Sequence, residues 1–219
     1  FYKYFVNYWI EHYFKHPSYF KVDNKPVIMA VSTDEFSTPF GDRQQAVFER
    51  INQMLQAEGF DGAIFIGTTD GAQVSKGWNY SYTYSFGSVN DGYRNIVNIN
   101  NYATQTSIAP YIPTVSQGWG NEAWGLQYRK VNIPIKDFKA CLEWVKNVYM
   151  PAYADDPLLK NTIAFDNWNE YCEGHSLAPT NLAGFGYLDA IRDVFTTADK
   201  EHTDIVPEKR FDQMAAMLW

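Results

Sequence analysis

Short apolar runs alternate with amphipathic segments along most of the chain. The strand-like runs cover residues 26–31, 62–67, 82–86, 111–116 and 162–165. The amphipathic segments, which are typical of helices, cover residues 1–13, 43–58, 91–106, 136–149 and 186–196. Strands that alternate with helices predict a parallel α/β sheet, because each helix carries the chain back to the start of the next strand.

The spacing of apolar residues also predicts which face of four helices is buried. These residues are Phe1, Phe5, Trp9 and Tyr13 in the first helix, Val47, Ile51, Met54 and Leu55 in the second, Phe138, Leu142 and Val145 in the fourth, and Leu188, Ile191 and Phe195 in the last. Gly59 is expected to end the second helix. The third helix, residues 91–106, is a weaker prediction because it contains many Asn residues.

Length and charge limit the classes of protein that fit. The 219 residues suit a single domain, and five strands could form a complete doubly wound sheet. A net charge of −7 without a basic stripe argues against a nucleic-acid partner. No apolar run is long enough to span a membrane. Aromatic residues make up 17% of the chain, which is compatible with a carbohydrate-binding cleft.

Residues 165–175 carry the strongest chemical signal. Glu170 and Glu173 lie three residues apart, directly after the strand-like run that ends at Phe165. Trp168, Tyr171 and His175 surround them. Glycoside chemistry needs one carboxyl group to protonate the leaving oxygen, a second to act on the sugar, and flat rings to stack on the sugar face. Burial beside Trp168 and Tyr171 is expected to raise a carboxyl pKa, as a general acid needs.

This segment also has a structural interpretation, because Glu is favoured at the start of a helix. Asn169 and Asp166 are interpreted either as ligands of sugar hydroxyls or as residues that brace the turn. His175 either orients Glu173 or binds sugar, or it is a solvent-facing structural residue. Cys172 is expected to be a small buried residue rather than a nucleophile.

Further candidates follow other predicted strands. Trp119, Asn121 and Trp124 come after the fourth strand and could form a sugar platform, with plain loop packing as the alternative. Asp70 follows the second strand and is a candidate substrate contact, as, more weakly, are Asp34 and Trp78.

The residue pattern points to no metal site and no other cofactor. His12 and His16 share a helix face but have no third ligand, and Cys141 and Cys172 lack metal-site or disulfide-framework spacing. No phosphate loop or dinucleotide motif is present.

Three segments resemble the WbsX-type proteins related to glycoside hydrolase family 99. Residues 168–174, followed by Pro179 and residues 186–192, resemble the family pattern W-N-E-W-x-E-G, proline, G-x-x-Y-L-x-A. Residues 13–27 resemble a family segment that precedes a barrel strand, and residues 112–121 match more loosely. Tyr171 replaces the usual Trp and Asn24 the usual Gly, although Asn tolerates positive φ better than most residues.

The resemblance implies a fold and a mechanism. It implies a (β/α)8 barrel that occupies residues 1–219, with the five predicted strands as strands four to eight and about three βα units before Phe1. It implies a retaining glycoside hydrolase that needs no metal and acts on a polysaccharide or glycan. Glu170 then acts on the sugar 2-hydroxyl, and Glu173 is the general acid and base. The substrate contacts expected around them are Trp168, Asn169, Tyr171, His175, Trp119, Asn121, Trp124 and Asp70.

Two rival functions remain open. One is a glycosyltransferase, although no nucleotide-sugar motif is present; the other is a non-catalytic carbohydrate-binding barrel, which would have no need of Glu173. Because relatives of this kind are often exported, the resemblance favours a periplasmic, cell-surface or secreted bacterial protein. The oligomeric state and the particular sugar are not predicted.

Overall fold

The structure, a computed structural model, describes residues 1–86, 91–120, 122–125 and 132–202. Its strands are β1 (Lys21–Val22), β2 (Lys25–Met29), β3 (Ile64–Thr68), β4 (Tyr80–Tyr82), β5 (Thr114–Val115) and β6 (Ala164–Phe165). Its helices are α1 (Asn7–Trp9), α2 (Thr33–Ser37), α3 (Gln44–Ala57), α4 (Gly92–Ala103), α5 (Ile135–Trp144), α6 (Met150–Ala152) and α7 (Gly186–Phe195). Wider helical turns at Tyr2–Val6 and Ile10–Phe14 extend α1 at both ends, and Val145–Tyr149 joins α5 to α6.

The strands from β2 onwards run parallel and follow one another in chain order. β2 pairs with β3 and β3 with β4, while β5 pairs with β6. A parallel bridge between Ser81 and Tyr111 connects the two groups, and Ile112 N–H donates to the Ser81 carbonyl at 2.7 Å. These parallel pairings confirm the prediction of an α/β fold with a parallel sheet. A doubly wound sheet reverses its strand order part-way, and the described strands show no such reversal.

The predicted barrel is not closed within the described residues. β2 pairs on its outer side only with the short antiparallel strand β1, and β6 pairs only with β5. Closure of the sheet into a barrel therefore stays a prediction.

A tight turn at Asp23 and Asn24 joins β1 to β2. Asp23 and Asn24 have φ angles of 47° and 57°. Positive φ at both central residues is typical of the two-residue turns that match the twist of a hairpin, and Asn is well tolerated there. The expected tolerance of Asn24 is confirmed.

Helices cover one face of the sheet. The ring of Phe65 in β3 stacks on Phe48 in α3, with centroids 3.9 Å apart and planes 6° from parallel. Neighbouring Ile64 and Ile66 point to the opposite face, as alternation along a strand requires, and there they belong to the same cluster as Leu158 and Leu159. Both faces of β3 are thus buried.

Two predicted helix faces are shifted. In the first helix the structure buries Val6, Ile10 and Phe14 and leaves the predicted row, which includes Phe5 and Tyr13, largely exposed. Both rows repeat every four residues, so the periodicity alone could not decide between them.

In α7 the most buried side chains are Tyr187, Ala190 and Val194, while the predicted Leu188, Ile191 and Phe195 are half-buried against the same core. The predicted faces of α3 and α5 are confirmed: Ile51, Leu55, Phe138 and Leu142 are fully buried. None of the helices in the described ranges is long and apolar enough to cross a bilayer.

Candidate active site

A cleft of about 550 Å³ opens where the parallel strands end. The segments that follow β2, β3 and β4 line it, because the carboxyl ends of parallel strands meet at one edge of the sheet. Most of the lining side chains carry hydroxyl groups, and two carry carboxylates. The lining residues are Val31, Ser32, Thr68, Thr69, Asp70, Thr83, Tyr84, Ser85 and Glu173.

Glu173 reaches this cleft from the segment after β6. A short helical turn, Tyr171–Glu173, ends at Gly174, whose φ of 73° is accessible to glycine at little cost. The turn closes when the His175 N–H donates to the Glu170 carbonyl at 3.3 Å. Gly120 N–H donates to the carbonyl of Glu173 at 2.9 Å, so the segment after β5 fixes the backbone of this residue.

The Glu173 carboxylate is held by side chains from three segments. The Tyr84 phenol donates to Oε2 at 2.6 Å, and His175 Nε2 lies 3.1 Å from the same oxygen. The side chain of Trp119 is a further hydrogen-bond partner. These contacts fix the position of a carboxylate that borders the cleft, which is the arrangement that acid–base catalysis requires.

These hydrogen bonds determine the protonation of Glu173. Partial burial acts to raise its pKa, but the hydrogen bonds from Tyr84, His175 and Trp119 outweigh burial, so the pKa is lowered from its usual value. The predicted rise beside Trp168 and Tyr171 is therefore wrong for this carboxyl group. Those two rings are 57% and 60% exposed and do not cover it.

Both glutamates affect the pKa of the Tyr84 phenol. Burial is the main cause that raises the pKa of its phenol, followed by the hydrogen bond to Glu173. The negative charges of Glu173 and Glu170 raise it further, while a hydrogen bond with Asn167 acts in the opposite direction. Glu170 thus lies close enough to the same phenol for its charge to act there. Its Oε2 is also 3.7 Å from the thiol of Cys172.

His175 lies behind Glu173 and is completely buried. Its Nδ1 is 3.2 Å from Oδ2 of Asp166, a distance that suits an ion pair. The same Asp166 oxygen accepts hydrogen bonds from Ser116 Oγ at 2.5 Å and from the N–H of Gln117 at 2.8 Å. Asp166 therefore connects the segment after β5 to the segment after β6.

Burial acts to lower the pKa of His175, but its contacts with Asp166 and Glu173 outweigh burial and the pKa is raised. The interpretation of His175 as a solvent-facing residue is wrong, whereas the interpretation that it contacts Glu173 agrees with the structure. Asp166 braces the turn and is buried, so of its two interpretations the structure favours the bracing one.

The remaining predicted residues occupy several places. Asp70 lines the cleft, and Trp119 contacts Glu173. Trp168, Asn169, Tyr171 and Trp124 are exposed at the surface, where a ring or amide can meet a ligand. Asn121 lies outside the described residues.

Two other predictions are wrong: Trp78 is a buried core residue packed on Phe48, and Cys172 is exposed rather than buried. Asp34 lines a different surface groove beside α2 and α3, and its contact with substrate stays a prediction. In the described ranges no group of three or more His, Cys, Asp and Glu side chains is arranged to hold a metal ion.

Tyr84 was not among the predicted site residues. It belongs to the segment 82–86, which the sequence pattern assigns to a strand, whereas the observed strand ends at Tyr82. The alternation of Tyr, Thr and Ser in that segment indicates a strand end lined by hydroxyl groups. It does not indicate which of these hydroxyl groups contacts Glu173.

Comparisons with known proteins give one relevant similarity. No family model matches the chain, and no curated protein matches it. A solved structure similar to it is that of the GH99 endo-alpha-mannosidase from Bacteroides thetaiotaomicron in complex with bis-tris propane. The identity is 16% and the TM-score 0.42, over 80% of this chain and 53% of that chain. The chain therefore spans about half the length of that structure.

Proposed function

We propose that the chain is part of a retaining glycoside hydrolase of the family 99-like, WbsX-like type, and that it acts on a polysaccharide or glycan. The observation that carries this proposal is the position of Glu173. Its carboxylate borders a cleft at the carboxyl edge of a parallel sheet and is held by Tyr84, His175 and Trp119. Hydroxyl-bearing side chains and Asp70 line the rest of the cleft, and they suit the hydroxyl groups of a sugar.

In this proposal the two glutamates have different roles. Glu173 transfers a proton to the leaving oxygen and later removes one from the attacking water. Glu170 acts on the sugar 2-hydroxyl, so that the substrate itself supplies the nucleophile. The proximity of both charges to the Tyr84 phenol supports a shared site, and the sequence pattern of the motif supports the division of roles.

The proposed fold is a (β/α)8 barrel to which this chain contributes the last five strands. The parallel strands in unbroken chain order support it, since a barrel is wound in this way. Three further βα units would close the sheet between the β2 side and β6 and would complete the cleft. On the same resemblance we place the protein in the periplasm, at the cell surface or outside a bacterial cell.

Release of reducing sugar from a panel of polysaccharides and glycans tests the proposal. The protein is compared with Glu173→Gln, Glu170→Gln and the control Glu143→Gln, whose side chain is exposed on α5. We expect release by the unchanged protein and by the control, and a loss of about 100-fold or more in each of the other two variants.

The outcomes separate the rival functions. Equal release by the unchanged protein and Glu173→Gln would contradict the acid–base role. A protein that releases nothing but binds glycan equally well with either residue would be a carbohydrate-binding domain. Sugar transfer that depends on an added nucleotide-sugar would identify a glycosyltransferase instead.

A further inference from the structure

His175 lies between two carboxylates and has no contact with solvent. Its Nδ1 is 3.2 Å from Asp166 Oδ2, and its Nε2 is 3.1 Å from Glu173 Oε2. The amide nitrogen of Asn167 is 3.3 Å from the same Nε2. The ring of Tyr84 packs edge-on against the imidazole, with centroids 5.6 Å apart. Both ring nitrogens therefore face a carboxylate oxygen.

The hydrogen-bond partners of Asp166 fix where one proton of the imidazole lies. Its Oδ2 already accepts from Ser116 and Gln117, as an ionised carboxylate does. A lone pair on Nδ1 would face this negative oxygen and be repelled. The proton therefore belongs on Nδ1, and a neutral His175 would present a lone pair at Nε2.

At Nε2 the Glu173 carboxylate favours a second proton, because a charge-assisted hydrogen bond to Oε2 at 3.1 Å is stronger than one from the neutral amide of Asn167 at 3.3 Å. A lone pair on Nε2 and an ionised Oε2 of Glu173, 3.1 Å apart, are both acceptors and repel each other. The contact becomes favourable if Nε2 carries a proton and donates it to the carboxylate. It is equally favourable if Glu173 carries that proton and donates it to Nε2.

We propose that His175 and Glu173 hold one proton between them at neutral pH, and that Asp166 maintains this state by fixing the other imidazole proton on Nδ1. His175 is in this view a positioning residue that acts through Glu173. The raised pKa of His175 and the lowered pKa of Glu173 agree with this arrangement, since each group stabilises the charged form of the other.

The shared proton explains how a carboxyl group with a lowered pKa can serve as a general acid. The link to catalysis rests on the proposed function, whereas the proton sharing itself does not. The single proton of the pair passes from Nε2 of His175 to Glu173, which donates it to the leaving oxygen. Glu173 is then ionised, and the imidazole is neutral with its remaining proton on Nδ1. When Glu173 later takes a proton from water, the reverse transfer restores the imidazolium.

The charged and titratable groups around the pair are few among the described residues. Asp166 and Glu173 contact the imidazole directly, and Tyr84 reaches both Glu173 and the imidazole ring. Glu170 acts on the Tyr84 phenol, and Asp166 acts in turn on the phenol of Tyr187. With His175 charged and both carboxylates ionised, Asp166, Glu173 and His175 carry a net charge of −1.

Nuclear magnetic resonance of protein labelled with ¹⁵N at histidine tests the proposal without a substrate. In the unchanged protein we expect both nitrogens of His175 to be protonated, or Nδ1 protonated with a strong hydrogen bond at Nε2, from below pH 4.5 to above pH 6.5. In Glu173→Gln we expect His175 to lose its second proton at a pH lower by about one unit or more, a tenfold change in proton affinity. The exposed His12 provides a reference signal in the same spectra.

Asp166→Asn should increase the fraction of the tautomer that carries its proton on Nε2. If this variant does not fold, Glu173→Gln still decides the question. A neutral His175 with its proton on Nε2 at neutral pH, or the same His175 titration with Gln as with Glu at position 173, would overturn the proposal. Failure of the sugar-release assay with normal proton sharing would reject the hydrolase alone.

Discussion

The phenol of Tyr84 donates a 2.6 Å hydrogen bond to Oε2 of Glu173, which lies 89 residues further along the chain. Tyr84 follows the strand β4, and Glu173 follows β6, so the contact joins two segments that line the cleft. A bond of this length to a carboxylate is charge-assisted and stronger than one between neutral groups. It ties the protonation of Glu173 to a residue outside the sequence motif.

Tyr84→Phe should raise the pKa of Glu173, because the carboxylate loses its shortest hydrogen bond. A hydrogen bond to a charged group contributes about 1.5–3 kcal/mol, so sugar release should fall by about 10- to 100-fold. The alkaline limb of the pH profile of kcat/KM, where the proton that Glu173 donates is lost, should move to higher pH. Tyr93→Phe is the matched control, since Tyr93 is 76% exposed on α4. An alkaline limb that does not move in Tyr84→Phe would contradict this role.

Asp166→Asn should destabilise the fold. The buried carboxylate accepts hydrogen bonds from Ser116 and Gln117 and faces His175, and an amide leaves one of these contacts unfavourable. We expect a loss of about 2–4 kcal/mol in the free energy of unfolding, measured by urea denaturation.

The control for this variant is Asp193→Asn. Asp193 pairs with Lys139 at the surface, where solvent screens the interaction, so its replacement should change stability little. Equal effects of the two substitutions would show that Asp166 is not the brace between the segments after β5 and β6.

Local patterns predicted the elements of the fold but not every burial face. The alternation of strand and helix segments was enough to predict the parallel sheet, because strands and helices differ in the period of their apolar residues. The first helix has two apolar rows, and the row with Val6 and Ile10 is buried although the row with Phe1 and Phe5 is more aromatic. The partner surface of α3 decides between these rows, and no local period contains that information.

The candidate site was also only partly predictable from the sequence. Glu170 and Glu173 could be named because they are neighbours in sequence and follow a strand. Tyr84 and Ser116 could not, since they reach the motif only through the pairing of distant strands. The environment of Glu173 was misjudged for a related reason: the nearby rings of Trp168 and Tyr171 point to solvent, and its actual partners come from elsewhere.

Trp168→Ala and Tyr171→Ala should weaken glycan binding without loss of stability. Both rings are more than half exposed, so little core packing is lost, while each offers a flat surface for a sugar. Aromatic packing contributes about 0.5–1.5 kcal/mol, which corresponds to a roughly 2- to 13-fold weaker binding of the substrate glycan for each ring. Isothermal titration with a glycan identified by the release assay measures this, with Tyr93→Ala as the exposed-ring control. Unchanged affinity in both variants would exclude the two rings from the binding surface.

The stability of the fold should be greatest between about pH 4.5 and 6.5 and should fall on both sides. The pKa of His175 is raised in the folded protein, so its stabilising contribution is complete below pH 6.5 and is lost as the pH rises through the folded value. The pKa of Glu173 is lowered, so its contribution is present above pH 4.5 and is lost as the pH falls through the folded value.

Melting temperatures recorded from pH 3 to 9 measure this profile in the unchanged protein and in two variants. Glu173→Gln should flatten both limbs, because it removes one titrating group and the partner that raises the pKa of the other. His175→Gln should flatten the alkaline limb most, since the group that loses its proton there is gone. Glu143→Gln should leave the shape nearly unchanged, because that carboxylate is exposed to solvent on α5. An alkaline limb that persists unaltered in His175→Gln would show that another group controls stability there.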